Sequence, residues 1–395
     1  MTEPLKILMV LHMPWQRTLG AARVQLELAE EFCQLGHQVE KFDTYDAFTQ
    51  PATSLWGYLR QPSFAHCARA FVRAQGARFD IIDAHQSTLP YPKEQLNFQG
   101  LLVTRSVGLH AMYEDFARTP AARVPPWKLR ARLTSAVIRW RDRRDYPHYR
   151  RSLETCDLIN LPNQDEWAYV RDHFHLGHKC AVFPFGLTPA RRAAFQAAAH
   201  PSAERLARPE LVFIGTWSGR KGAHDWPPLL RELKQQRPDL RCRFLGTGLS
   251  VPTVLGDLQQ RASDWLEIVP HYDSEELPQR LSTGTVGAFP SYVEGFGFAV
   301  LEKLAAGIPT VAYDAPGPRE MLKFLPEELR VPVGDWRAMR ERLLWLLSLE
   351  PAAYGQLAAE CQAVAARFCW RQIAQETLAV YRQALARCLA GPQGP

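Results

Sequence analysis

The sequence predicts an α/β protein made of two doubly wound, Rossmann-like domains in tandem, and three observations carry that reading. Two series of short apolar runs follow one another along the 395 residues. Within each series, a helix-length segment of mixed polar and apolar residues separates one run from the next, the pattern of a parallel sheet covered on both faces. A stretch rich in Ala, Arg and Pro, residues 188–209, separates the two series. The length suits two domains of roughly 100–200 residues.

The first series begins at residues 6–11, a run closed by His12 and Pro14. Val24, Leu28, Phe32 and Leu35 then fall on one helical stripe, which Gly36 ends as a left-handed C-terminal residue does. Residues 39–42, 80–84, 101–104 and 157–161 continue the strands. Residues 211–214, 242–245, 266–269, 286–289 and 310–313 form the second series. The expected layout is a first domain over 1–187, a linker over 188–209 containing a short helix, a second domain over 210–368, and a last helix over 369–390. Ligands of such sheets bind outside the carboxyl ends of the strands, so two domains facing each other would form a binding cleft.

Composition narrows the function. Hydrophobic residues make up 46% and charged residues 22%, ordinary for a globular chain. The formal charge of +6 is concentrated: residues 118–151 hold eleven Lys/Arg against two Asp, which leaves −3 for the rest. That distribution excludes a protein basic all over, and no nucleic-acid recognition motif is present. The apolar run at 7–11 is too short for a secretory leader. No window reaches the ~18 apolar residues of a membrane span, so the expected location is cytoplasmic. The eight cysteines are scattered without a C-x-x-C pair, as free thiols of a reducing compartment would be. His173, His175, His178 and Cys180 have ligand chemistry but match no common zinc spacing, and read as a polar helix end and loop.

The chemistry concentrates in residues 288–322, AFPSYVEGFGFAVLEKLAAGIPTVAYDAPGPREML. A strand ends at Phe289-Pro290, and a loop follows with Gly295 and Gly297 on either side of Phe296. A helix then starts at Phe298 and closes at Gly307. Backbone N–H groups at a helix start, approached through glycines, suit a diphosphate. Glu302, a turn or two into the helix, can accept from two neighbouring hydroxyls of a ribose. Glu294 lies on the other side of the same anion.

Glu294 and Glu302, eight apart around Gly295-Phe296-Gly297, resemble the E-x7-E signature of the family 4 retaining glycosyltransferases of the GT-B fold. Other segments are similar to that family as well. In LVFIGTWSGRKG, residues 211–222, Gly215, Lys221 and Gly222 fit the opening of its second domain. Thr216 stands where the family has its first arginine, with Arg220 a substitute. Gly20 and Arg23 fall in its first loop and helix, His85 ends its strand, and residues 368–381 resemble its final helix, which crosses back to the first domain. The family's His-Gly after the strand near Leu101 reads Val107-Gly108 here, so Arg105 and His110 are the remaining acceptor-side candidates beside Gly20, Arg23 and His85.

The resemblance implies transfer of a sugar from a UDP-, GDP- or ADP-sugar to a glycan, glycolipid or other acceptor, with retained configuration. It implies catalytic roles for Glu294, Lys221 and Arg220. It implies donor binding by Glu302, Gly295, Phe296, Gly297, Phe298, Gly215 and Thr216. The chain has no D-x-D pair, and no metal is expected. A sugar-nucleotide epimerase of the same fold and a non-catalytic sugar-nucleotide-binding subunit are the alternatives.

The basic segment admits two readings. Leu129, Leu133, Val137 and Trp140 lie at helical spacing among arginines at 130, 132, 139, 141, 143 and 144. Such a helix docks on an anionic bilayer, placing the protein peripherally at the inner face of a membrane, or packs on the first domain with a solvated arginine face.

Overall fold

The computed structural model describes residues 3–48, 62–122 and 148–390. These form two compact units. Of these residues, the first comprises 3–48, 62–110, 148–184 and 370–390, and the second 111–122 and 185–369.

The first unit is built on six parallel strands in the order β2-β1-β3-β4-β5-β6. They are β1 (Lys6–Val10), β2 (Gln38–Phe42), β3 (Ile81–His85), β4 (Leu101–Arg105), β5 (Leu158–Leu161) and β6 (Cys180–Val182). The central strands are buried on both faces, which is why they read as unbroken apolar runs; Ile7 to Leu11 are fully buried. The order reverses beside β1, and there His12 and His85 bring their rings to 4.7 Å. Helix Trp370–Ala390 belongs to this unit. It buries Trp370, Ile373, Ala374, Leu378 and Tyr381 along one stripe. Trp370 Nε1 donates to Glu27 on helix Gly20–Gln34 at 2.6 Å.

The second unit repeats the plan in the order β12-β11-β10-β7-β8-β9. Its strands are β7 (Glu210–Ile214), β8 (Arg241–Leu245), β9 (Leu266–Val269), β10 (Val286–Phe289), β11 (Thr310–Tyr313) and β12 (Arg330–Val331). The order reverses between β7 and β10, whose shared register ends at Gly287↔Val212.

Three features depart from the sequence reading. β6 and β12 are edge strands of three and two residues, too short to show a pattern. The stretch at 188–209, read as a linker containing one short helix, forms two helices, Pro189–Ala198 and Ser202–Ala207, which pack in the second unit, where buried Arg205 donates to the carbonyls of Ala306 and Gly307. Residues 111–122, expected in the first domain, pack with the second unit. The Leu129–Trp140 stripe and its arginines lie outside the described residues. At the segment's described ends the charge is answered locally, Arg118 by Glu114 and Asp115, and Arg150 by Glu154.

Candidate active site in the second unit

Two loops meet at the carboxyl end of the β7–β10 switch. One is the turn Gly219–Lys221 after β7, and the other is the loop of residues 290–297 after β10. Their backbones touch: Tyr292 N–H donates to the Arg220 carbonyl at 2.9 Å. Gly222 has φ +73°, and a β-carbon there would lie 2.3 Å from the Pro290 carbonyl oxygen, so only glycine permits this approach.

The contact brings Lys221 and Arg220 onto Glu294. Lys221 Nζ bonds Glu294 Oε2 directly, and Arg220 Nη1 lies 3.2 Å from the same oxygen. Arg220 also donates to the Val293 carbonyl at 3.2 Å, and its guanidinium sits over the Tyr113 ring. Burial pushes the Glu294 carboxyl up, but Lys221 and Arg220 outweigh it and hold the group below its ordinary range. Lys221 is 9% exposed, and burial holds its ammonium below the usual lysine range. Two cations face one carboxylate, a pocket with surplus positive charge.

The same loop feeds helix Phe298–Ala305. Gly297 starts it at φ +93° with no side-chain cap. Phe296 turns its ring inward against Phe185, Phe298 and Phe368. Glu302 is 4% exposed and lies 3.7 Å from Arg191 Nη2, a partner that sequence reasoning missed because Arg191 sits in the stretch taken for a linker. Gly215 ends β7 with room for the Lys221 side chain, 3.7 Å from where a β-carbon would be, and Thr216 is exposed beside it.

Behind the loops, buried Asp225 accepts from Tyr292 at 3.0 Å and from Tyr313 at 2.8 Å, tying loop 290–297 to β11 and to the start of helix Trp226–Gln236. From residues 111–122, Tyr113 packs on Arg220 and Phe116 on Tyr292. No local signal in the sequence announces either.

In the first unit the acceptor-side candidates divide. Gly20 opens helix Gly20–Gln34 onto free space. His85 is buried, its Nδ1 3.1 Å from the Gln86 carbonyl, and burial first, then His12, hold its ring well below the ordinary histidine pKa. His110 stacks flat on Tyr149, 3.7 Å between centroids. Arg105 and Arg23 are corrected: both are buried in ion pairs, Arg105 with Asp83 and Arg23 with Glu27, so neither presents its guanidinium to an acceptor. The loop of residues 106–110 is held from below. Ser106 Oγ donates to buried Glu166 at 2.6 Å, and Gln86 Nε2 donates to the Gly108 carbonyl at 2.7 Å. Burial pushes the Glu166 carboxyl up to about 7.

Among the described residues, no three His, Cys, Asp or Glu side chains converge as a metal site. His173 instead packs on Tyr169.

Comparison with known proteins fits this geometry. Residues 196–363, which hold both loops and Glu302, match the model of the family described as glycosyl transferases group 1. Over that stretch the chain is similar to that family. A D-inositol 3-phosphate glycosyltransferase of Nocardioides sp. is 30% identical over 202 residues, 46% of this chain and 44% of that protein. The chain spans about half the length of the curated relatives it matches. Among solved structures, sucrose-phosphate synthase from Thermosynechococcus elongatus superposes with a TM-score of 0.71 at 19% identity, covering 96% of this chain and 99% of that one. Anabaena HepE in complex with UDP and glucose gives 0.65 at 15% identity, covering 96% and 100%. The structural similarities show the GT-B fold for this chain.

Proposed function

We propose that the protein transfers a sugar from a nucleotide-diphosphate donor to a glycan, glycolipid or other acceptor, with retention of configuration. The observation that carries this is the convergence of Lys221 and Arg220 on the glycine loop and helix start at the β7–β10 switch. In this reading the two cations take the diphosphate, and the backbone of residues 295–298 adds donors. Glu302 holds the ribose, and Glu294, released from part of its cation contact, turns to the sugar hydroxyls. The bond from the anomeric carbon to the diphosphate breaks, and its electron pair leaves on the phosphate oxygen. The acceptor hydroxyl bonds the same face of that carbon and passes its proton to the departing phosphate. Lys221 and Arg220 stabilise the charge that grows on that leaving group, and no step calls for a divalent ion.

The HepE structure with UDP and glucose makes a uridine donor the first to try. The name of the inositol-phosphate relative points to phosphorylated polyols among the acceptors to test. No described helix is long and apolar enough to cross a membrane. The positive excess of residues 118–151 in the sequence supports peripheral, cytoplasmic-face docking, to be checked by anionic against neutral liposomes at low salt.

The deciding experiment incubates the protein with labelled UDP-, GDP- and ADP-sugars, with and without acceptors. Slow release of nucleotide, accelerated by an acceptor, is expected from one donor class. Epimer formation, or tight binding with no turnover under any condition, would overturn the reading.

A further inference from the structure

Lys303 follows the donor-side Glu302 on helix Phe298–Ala305, and it is completely buried. Its chain runs across Gly287, where a β-carbon would sit 2.8 Å from Lys303 Cδ and 2.3 Å from Thr310 Oγ1. Glycine at 287 therefore clears the path. Nζ ends at the β7–β10 switch and donates to the Ala288 carbonyl at 3.0 Å, one residue beyond the last β7–β10 register pair.

The ring of Phe289 is shared by two ammonium groups. Lys221 Nζ lies 4.6 Å from its centroid and Lys303 Nζ 5.5 Å. Lys303 is thus a second cation set behind the one assigned to the diphosphate, with an aromatic ring in common.

Among the described residues, none gives Lys303 a counter-charge. Helix Pro189–Ala198 brings Arg191, which is set against Glu302. Helix Pro351–Ala366 carries Cys361 and Tyr354, both held neutral by burial. β10 offers the Ala288 carbonyl and Phe289, and β11 offers Thr310 and Tyr313, whose hydroxyl is bonded to Asp225. Lys221 is the charge that acts on Lys303, and it is of the same sign. Burial first, and then Lys221, bring the Lys303 ammonium down to about 7. Such a group changes its proton occupancy when the local charge changes.

We propose that Lys303 is a proton-uptake site linked, through Lys221 and Phe289, to the binding of a nucleoside diphosphate. The inference rests on the donor-site reading above. An arriving diphosphate reverses the sign of the charge acting on Nζ, so a proton from the buffer moves onto the amine. It leaves again when the nucleotide departs. The site thereby gains a full positive charge where the leaving group's negative charge collects.

Linkage fixes the sign. Because binding takes up a proton, affinity is greatest at low pH and weakens as pH rises above about 7, by at most about tenfold per pH unit. The test is calorimetric titration with UDP, and separately with inorganic pyrophosphate, at pH 8 in buffers of differing ionisation enthalpy. The wild type should take up a fraction of a proton beyond that of Lys303→Arg and Lys303→Met, a difference that cancels the ligand's own titration. Lys303→Arg should bind more tightly than the wild type at pH 8 and lose this part of the pH dependence. Equal uptake in all three proteins would overturn the proposal and leave the donor site standing. Failure of the wild type to bind either probe would overturn the donor site itself. If the variants do not fold, carbon-13 lysine spectra of the wild type decide: the Lys303 Cε titration midpoint must rise when UDP is added, and a fixed midpoint refutes the linkage.

Discussion

The two units each set basic and acidic side chains at the carboxyl end of a parallel sheet, and use them oppositely. In the first, Arg105 Nε and Nη2 reach Asp83 at 3.0 and 2.5 Å, and the Tyr381 hydroxyl completes the group by donating to Asp83 at 2.6 Å. One cation meets one anion, both are sealed from solvent, and Tyr381 comes from the last helix of the chain. In the second, two cations meet one carboxylate and the Arg220 side chain stays 29% exposed. A neutralised, closed pair holds a fold together. An unbalanced, accessible one attracts an anion. The sequence shows arginine at the end of a strand in one case and in a turn in the other, and only charge balance and burial tell them apart.

Removing one partner should break that contrast most visibly in the first unit. Asp83→Ala strands a buried guanidinium and should cost about 3–5 kcal/mol of stability, read by urea unfolding. A smaller loss than that of an exposed pair would mean that water reaches Arg105. Next comes Lys221→Ala. It should lower transfer by roughly 10²–10³-fold, about 2.7–4 kcal/mol of barrier, while the unfolding midpoint moves little. Unchanged turnover with the best donor would remove Lys221 from the site.

Glu166 offers a pH test of the first unit. Its folded-state carboxyl is raised to about 7 from an ordinary 4.5, so between those values the folded protein binds more protons than the unfolded chain. Stability from this group is therefore present below about 4.5 and is lost as pH rises toward 7. The loss amounts to about 3 kcal/mol and is constant above that. Glu166→Gln should remove that slope; an identical pH profile for the variant would show that the group titrates normally.

Much of the fold and part of the site are legible in the sequence, for physical reasons. A parallel strand buried on both faces must be an apolar run, so β1, β3, β7 and β10 announce themselves, while β12, two residues at an edge, does not. Glu294 and Glu302 are legible because one loop and one helix fix their spacing. Lys303 is not: a lysine in a helix ordinarily means a solvated face, and its burial depends on Gly287 and Thr310 from two strands. Arg105 misleads in the opposite direction. The end of a strand is where ligands bind, yet its partners Asp83 and Tyr381 lie 22 and 276 residues away along the chain. Tyr113 and Phe116 fall in neither expected place, because residues 111–122 join the second unit through packing that no local pattern encodes.

The smallest expected effect sharpens the comparison best. The Tyr381 hydroxyl accepts from Arg105 at 2.9 Å and from Asn160 at 3.3 Å while donating to Asp83. Tyr381→Phe keeps the ring against Phe32, its centroid partner at 6.4 Å, and removes only the oxygen. The Arg105–Asp83 pair survives, so the cost should be near that of one buried hydrogen bond, about 1–2 kcal/mol in urea unfolding. Transfer measured at a temperature where both proteins are folded should be unchanged, because the network ends at the first sheet and its last helix. A drop in turnover without a drop in stability would mean that the closed centre of the first unit also positions substrate, and the division of labour between the two charge clusters would have to be abandoned.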